Sequence, residues 1–518
     1  MTAANDTPAR KPFGLRLLDA IETAGNKLPD PATLFFVLIG VLMVVSAVAA
    51  AVGLSAVNPA TGEAIQAKSL LSNENLARLF TEMSKTFTSF APLGTVLVTM
   101  LGAGIAEKTG LFSASLRSFM KNVPGSILVP ATVFAGCMSS MAADAGYVVL
   151  VPLGAVVFLA AGRHPLAGIA AAFAGVSGGF SANLLITSLD PLLLGITQEA
   201  ARLIDPSYAV AIQGNWYVMI ALTFLLTGLG WWVTSTIVEP RLGQWKGHLD
   251  APPADQPLSA DEKKGLAWAG WAFLAPVIML CAFAFPGMPL HGEGEEVFER
   301  LKPFFDSLVP MFFLAFLAAG IAFGVAVGKI RNDKDVIGYM NQSMADMGAY
   351  LVLAFAAAHF IAMFAWSNLG AIAAVHGAEG LRSMNLPGPA LFIGLILFTA
   401  SLNLLIASAS AKWGLMAPIV VPMMMLLGYS PEAVTAAYRL GDSATNIITP
   451  MMAYFPMVLI FARRYQPDAG LGTLIALMLP YSITFLLGSF VFMGVWVGFG
   501  WDVGPGVPVQ IPAPVAAG

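Results

Sequence analysis

Residues 401–450 read SLNLLIASASAKWGLMAPIVVPMMMLLGYSPEAVTAAYRLGDSATNIITP, and this stretch decides the fold. Ser408, Ser410 and Lys412 interrupt an apolar segment that resumes at Trp413 and runs to the turn signal Gly428-Tyr429-Ser430-Pro431. Neither half reaches the roughly 20 apolar residues that a bilayer crossing needs, so the segment reads as a re-entrant helical hairpin. After the turn, Ser430 suits an N-cap and Pro431 the first helical position, where a missing N–H costs nothing. That new helix carries Arg439 and Asp442 on one face, breaks in the polar run Asp442 to Asn446, and resumes from Ile447 to Tyr465. Irregular backbone at membrane depth survives only where protein buries it or a wet cavity receives it, which is how transporters build midplane sites.

The rest of the chain agrees with a membrane protein. It has 518 residues, of which 57% are hydrophobic and 11% charged, with a mean hydropathy of +0.77. Such a composition excludes a soluble protein of this size. The net charge of -4 says nothing about nucleic acid, and no basic tract suggests such a partner, so none is expected. Cys137, Cys281 and the five histidines have no metal-ligand spacing, so no cofactor is indicated.

Working outward, a polar segment (1–31) precedes the first transmembrane half (32–238), which contains a second hairpin (124–161) and a second broken helix (165–200). A charged, proline-bearing linker (239–265) separates it from the other half (266–499), with its hairpin (386–427) and broken helix (431–464), and a Pro-rich tail follows (500–518). The expected fold is therefore all-α, with about nine spans and two re-entrant hairpins. The basic-loop rule puts the N-terminus inside and the C-terminus outside. An offset of 266 positions lays Pro152 on Pro418, Gly162 on Gly428, Pro165 on Pro431, Gly175 on Gly441 and Ser177 on Ser443. A short gap brings Asn183 to Asn446, and the pattern reads as inverted repeats whose tips meet at one site.

Ionisable residues near membrane depth are functional candidates by default. Arg439 offers a planar fork for a substrate carboxylate, and Asp442 suits proton coupling; alternatively the two form a structural ion pair. Asp190, before Pro191, is either a helix cap or a proton acceptor on the facing unit. Asp144 and Lys412 lie at the hairpin tips, as site residues or solvated lips. Trp413 beside Ser410 suits an aromatic ligand, or packs. Ser140, Ser177, Asn183, Ser443 and Asn446 offer the oxygens that a sodium ion prefers, or satisfy loosened backbone.

The runs SASAKWGLMAPIVVPM and YSPEAVTAAYRLGDSATNIITPMM strongly resemble the AbgT family of p-aminobenzoyl-glutamate transporters, along nearly the whole chain. The resemblance implies a homodimeric secondary transporter in the bacterial inner membrane, with a scaffold of outer helices around an inner transport core and an elevator-like motion driven by a proton or sodium gradient. Its substrates would be p-aminobenzoyl-glutamate, related aromatic carboxylates, or exported sulfonamides. It carries substrate-binding roles onto Ser410, Trp413, Pro431, Arg439, Asp442 and Pro450, and less directly onto Asp190. The competing readings are a sodium-coupled dicarboxylate or short-chain fatty-acid transporter of the same superfamily and an intramembrane aspartyl protease. Leu440-Gly441-Asp442 only superficially matches the protease signature, since Arg439 stands where its first glycine belongs.

Overall fold

The computed structural model describes residues 31–57, 64–121, 123–142, 146–245, 258–293, 297–449, 451–452 and 454–511. Among them, seven helices are long and apolar enough to cross a membrane: Ala32–Ala51, Trp216–Leu242, Ala260–Phe283, Leu308–Ala326, Gly348–Trp366, Ala409–Leu426 and Leu471–Phe499. An eighth candidate is the pair Ala91–Thr109 and Leu111–Met120, bent by 62°. The bend falls at Gly110, which takes a left-handed φ of 92° that a glycine adopts without strain. The expectation of nine spans counted each broken helix as one crossing; here their pieces are separate short helices.

The first hairpin has arms Leu128–Met138 and Val151–Ala160, joined through a 3-10 turn at Ser139–Ala142 and a π-helical turn at Gly146–Leu150. Its broken helix runs Pro165–Phe173, loosens into a π-turn at Ala174–Gly178, and restarts at Leu189–Ala201. The second hairpin has arms Gly388–Asn403 and Ala409–Leu426, followed by the broken helix Pro431–Thr445 and Phe455–Arg463; contrary to the expectation that neither half could cross a bilayer, the arm Ala409–Leu426 has the length and apolarity of a crossing helix. Ser430 accepts from the Ala433 N–H and Pro431 is the first helical residue. The break in this helix lies beyond Thr445 rather than at Asp442, and the helix resumes at Phe455 rather than Ile447. Asp442 and Ser443 therefore sit on continuous helix. The polar run ends the helix instead of interrupting it, because Asn403 on the neighbouring arm donates to the Asp442 carbonyl at 2.7 Å and holds the last turn.

The two units share a packing device. A Cβ on Gly175 would collide with the Val133 carbonyl of the first hairpin, and one on Gly441 would collide with the Ile396 carbonyl of the second. The offset that pairs these glycines in sequence thus pairs them in role: each lets a broken helix lie against the backbone of its hairpin's first arm. Gly175→Val and Gly441→Val are each expected to cost about 1–3 kcal/mol through forced backbone shifts. A melt in detergent that leaves either midpoint at the wild-type value would contradict the shared role.

Several features escaped the sequence reading. The helix Ala260–Phe283 starts inside the linker because Ser259 and Glu262 form a reciprocal capping box. Asn332 and Asp335 do the same for the helix Asp333–Asp346. A two-stranded ribbon pairs Ser55–Val57 with Ala64–Gln66. The Pro-rich tail is a strap as far as Ile511. Its Val509 carbonyl accepts from the Ser430 N–H at 2.9 Å, Ile511 N–H donates to the Gly428 carbonyl at 2.9 Å, and Ser430 Oγ donates to the Pro508 carbonyl at 2.7 Å. Val503 and Val509 are fully buried.

Candidate functional site

The helix Pro431–Thr445 is buried over its whole length, so each of its charges must find a partner within the protein. The i, i+3 pair that the sequence suggested between Arg439 and Asp442 does not form. Arg439 Nη1 donates to Asp190 Oδ1 at 2.5 Å, and Lys412 Nζ donates to Asp442 Oδ1 at 2.5 Å. The two side chains leave the helix toward different units: the first bond crosses to the other repeat, the second stays with the hairpin that precedes the helix. Lys412 is fully buried and ion-paired rather than a solvated lip.

Asp190 combines the two uses considered for it. Its Oδ2 accepts from the Thr187 N–H at 2.6 Å and from the Thr187 hydroxyl at 3.0 Å, at the start of the helix Leu189–Ala201. Its other oxygen holds the guanidinium. Arg439 Nη2 donates to the Ser181 carbonyl at 3.1 Å, but Arg439 Nε and the Ser181 hydroxyl have no hydrogen-bond partner among the described residues. The guanidinium thus keeps one buried donor open beside an open hydroxyl. Unsatisfied buried donors are rare and costly, of order 1–3 kcal/mol, and mark a place prepared for a ligand or a rearrangement.

Trp413 packs on Tyr438, ring centroids 4.3 Å apart at 28°, and its Nε1 donates to Thr197 Oγ1 at 2.9 Å. Thr197 shares a 2.7 Å hydrogen bond with Thr435, so the indole ties the second hairpin to both broken helices. It is fully buried, and the packing role weighed for it is met. Ser410 is half-buried in the first turn of the second arm, where Ser408 supplies the N-cap. Pro431 is buried at its helix start.

The polar runs mostly hold backbone together. Asn183 Nδ2 donates to Ser140 Oγ at 2.9 Å, and its Oδ1 accepts from the Leu185 N–H at 2.9 Å. Asn446 Oδ1 accepts from Asn403 Nδ2 at 2.8 Å. Each asparagine therefore ties a broken helix to the break of its own hairpin. Ser177 Oγ donates to Met452 Sδ at 3.1 Å and Ser443 Oγ accepts from the Ser181 N–H at 3.2 Å, both across the repeats. Asp144 and Pro450 lie outside the described residues. Among the described residues, no three His, Cys, Asp or Glu side chains cluster in a way that could hold a metal ion.

Sequence reasoning missed Asn403, Thr197, Tyr438 and Glu432. Asn403 carried a usable signal, a lone amide within the apolar run that opens the second hairpin. Glu432 had none that distinguishes a surface acid from a buried one. It is 1% exposed and accepts from the Tyr208 hydroxyl at 2.9 Å and the Ala211 N–H at 3.0 Å.

Comparison with known proteins agrees with this architecture. The profile described as "AbgT putative transporter family" matches residues 16–511. The p-aminobenzoyl-glutamate transport protein of Escherichia coli (strain K12) is 39% identical over 495 residues, covering 95% of this chain and 96% of the relative. The YdaH transporter of Alcanivorax borkumensis, described as having an unusual topology, superposes with a TM-score of 0.87 at 47% identity over 92% of this chain and 100% of its own. MtrF of Neisseria gonorrhoeae, described with a class of antimetabolite efflux pumps, superposes with a TM-score of 0.89 at 46% identity over 95% of this chain and 100% of its own.

Proposed function

Because the chain belongs to the AbgT transporter family, and is a multi-pass membrane transporter rather than an enzyme, we propose that it moves p-aminobenzoyl-glutamate or a related aromatic carboxylate across the bacterial inner membrane as a gradient-driven homodimer. The observation that carries this reading is the open Nε donor of Arg439, buried between the repeats. A planar guanidinium that already holds one carboxylate oxygen through Nη1 can exchange Asp190 for a substrate carboxylate. The substrate named for the Escherichia coli relative carries its carboxylates on a glutamate joined by an amide to a p-aminobenzoyl ring, and the indole of Trp413 lies on the same helix-hairpin junction. A sulfonamide drug shares the p-aminophenyl part, so antimetabolite export is a second use of the site, supported by the likeness to MtrF.

Turnover would carry hairpins and broken helices as one body past the outer helices, with the N-terminus cytoplasmic and the C-terminus periplasmic. Of the two candidate ions, the proton is better supported. Asn183 Oδ1 and Asn446 Oδ1 already accept protein N–H bonds, which a sodium ion at those positions would have to share. Asp190 and Asp442, each bound to a buried cation, are the carboxylates on which proton coupling would rest.

Labelled p-aminobenzoyl-glutamate should accumulate in proteoliposomes under an imposed pH gradient and not under a sodium gradient alone. Accumulation that follows sodium would replace the coupling ion. Competition by succinate, with no flux of the aromatic compound, would replace the substrate with a dicarboxylate.

A further inference from the structure

We propose that the apolar cavity between the first hairpin and the helices Leu111–Lys121, Ala260–Phe283 and Leu308–Ala326 is a binding site for an anionic glycerophospholipid, acyl chain inward. The cavity has a volume of 380 Å³; its walls include Phe119, Phe134, Phe273 and Phe316, and Met138 and Ser139 of the hairpin also line it. A second hollow of 570 Å³ shares Ser115, Phe119 and Leu266 with it and reaches Ser118 and Pro124 at the turn before the hairpin. Together they form one apolar tract that, among the described residues, no ionisable side chain lines. Such a tract suits a hydrocarbon chain and rejects a charged aromatic substrate, whose carboxylates would be buried without partners.

The outer end of the tract carries the charge that selects the headgroup. Lys263 and Lys264 are exposed just before Leu266, and Lys264 Nζ sits 4.6 Å from the centroid of the Trp268 ring. Trp268 and Trp271 are exposed on the same helix, as tryptophans at headgroup depth are. Among the described side chains, the neighbouring charges are Arg117, Glu262 and Asp261. Arg117 and Glu262 bind each other at 2.5 Å, bolting two walls of the tract together, which among these groups leaves two lysines against Asp261. Basic residues at a cytoplasmic helix end facing an apolar slot are complementary to a phosphodiester headgroup with its chain in the slot.

Because Met138 and Ser139 belong to the hairpin break, an acyl chain there would brace that break against the outer helices. This consequence for turnover rests on the transport reading above, whereas binding itself does not. The test is native mass spectrometry of the purified full chain with phosphatidylglycerol or phosphatidylethanolamine of identical acyl chains. Wild-type protein should retain phosphatidylglycerol preferentially, and the double substitution Lys263→Gln, Lys264→Gln should weaken its retention by about tenfold while sparing phosphatidylethanolamine. Gly270→Phe should remove it, since a Cβ at Gly270 meets nothing within 4 Å and the ring can fill the cavity without a backbone clash. Ser115→Leu, at the junction of the two hollows, is the second blocking variant should Gly270→Phe fail to fold. Equal retention of both lipids by the wild type, or wild-type retention of phosphatidylglycerol by a folded blocking variant, would overturn the proposal.

Discussion

Arg439→Gln abolishes substrate flux and destabilises the protein, and adding Asp190→Asn restores stability without restoring flux: this is the expected result of a double-substitution cycle on the pair at the centre of the molecule. The single change leaves the Asp190 carboxylate buried with only Thr187 as donor, a loss of about 3–5 kcal/mol. Neutralising both partners removes the stranded charge, so the melting midpoint should recover most of that loss. Transport should not recover, because the proposed carboxylate contact is gone, and truncating a buried charged contact costs about 2–5 kcal/mol, on the order of 100-fold in flux. Labelled-substrate uptake and thermal melts on the four proteins separate the roles. Normal flux in the double variant would make the pair a purely structural bolt.

The second large effect is expected at Asp442. Asp442→Asn should eliminate accumulation driven by a pH gradient while leaving exchange of labelled for unlabelled substrate, because exchange completes the transport step without needing a proton to be carried. Lys412 would then keep Asn403 Oδ1 as a partner, which it already contacts at 2.5 Å. Lys412→Met, Asp442→Asn, apolar enough to avoid a stranded charge, should fold and show the same uncoupled exchange. Gradient-driven accumulation retained in either variant would exclude Asp442 as the coupling group.

The architecture was legible because its signals are local. Proline, glycine and short polar runs break apolar sequence at fixed places, and the same offset recurs from Pro152 to Ser443. The candidate charges were legible too, since Arg439, Asp442, Lys412 and Asp190 stand out against apolar neighbours. Their partners were not. Helical spacing favoured Arg439 with Asp442, yet each is satisfied by a group brought in from elsewhere in the chain, Asp190 and Lys412. Spacing describes one helix, while burial forces a choice among everything that packs on it. Asn403 shows the same limit from the other side. A single amide in an apolar arm looked like an incidental polar residue, but it donates to the Asp442 carbonyl and to Asn446 and so sets where the helix ends.

The strap formed by the final residues has a consequence in time. Ser430, the cap of the helix that carries Arg439, takes its backbone and hydroxyl partners from Val509 and Pro508. Pro508 follows Ser430 by 78 positions, so the ribosome makes it only after the intervening helix Leu471–Phe499. The cap of the helix that carries Arg439 is therefore completed well after that helix itself is made, and a chain truncated before Pro508 would be left with its second repeat inserted but its central junction unfastened.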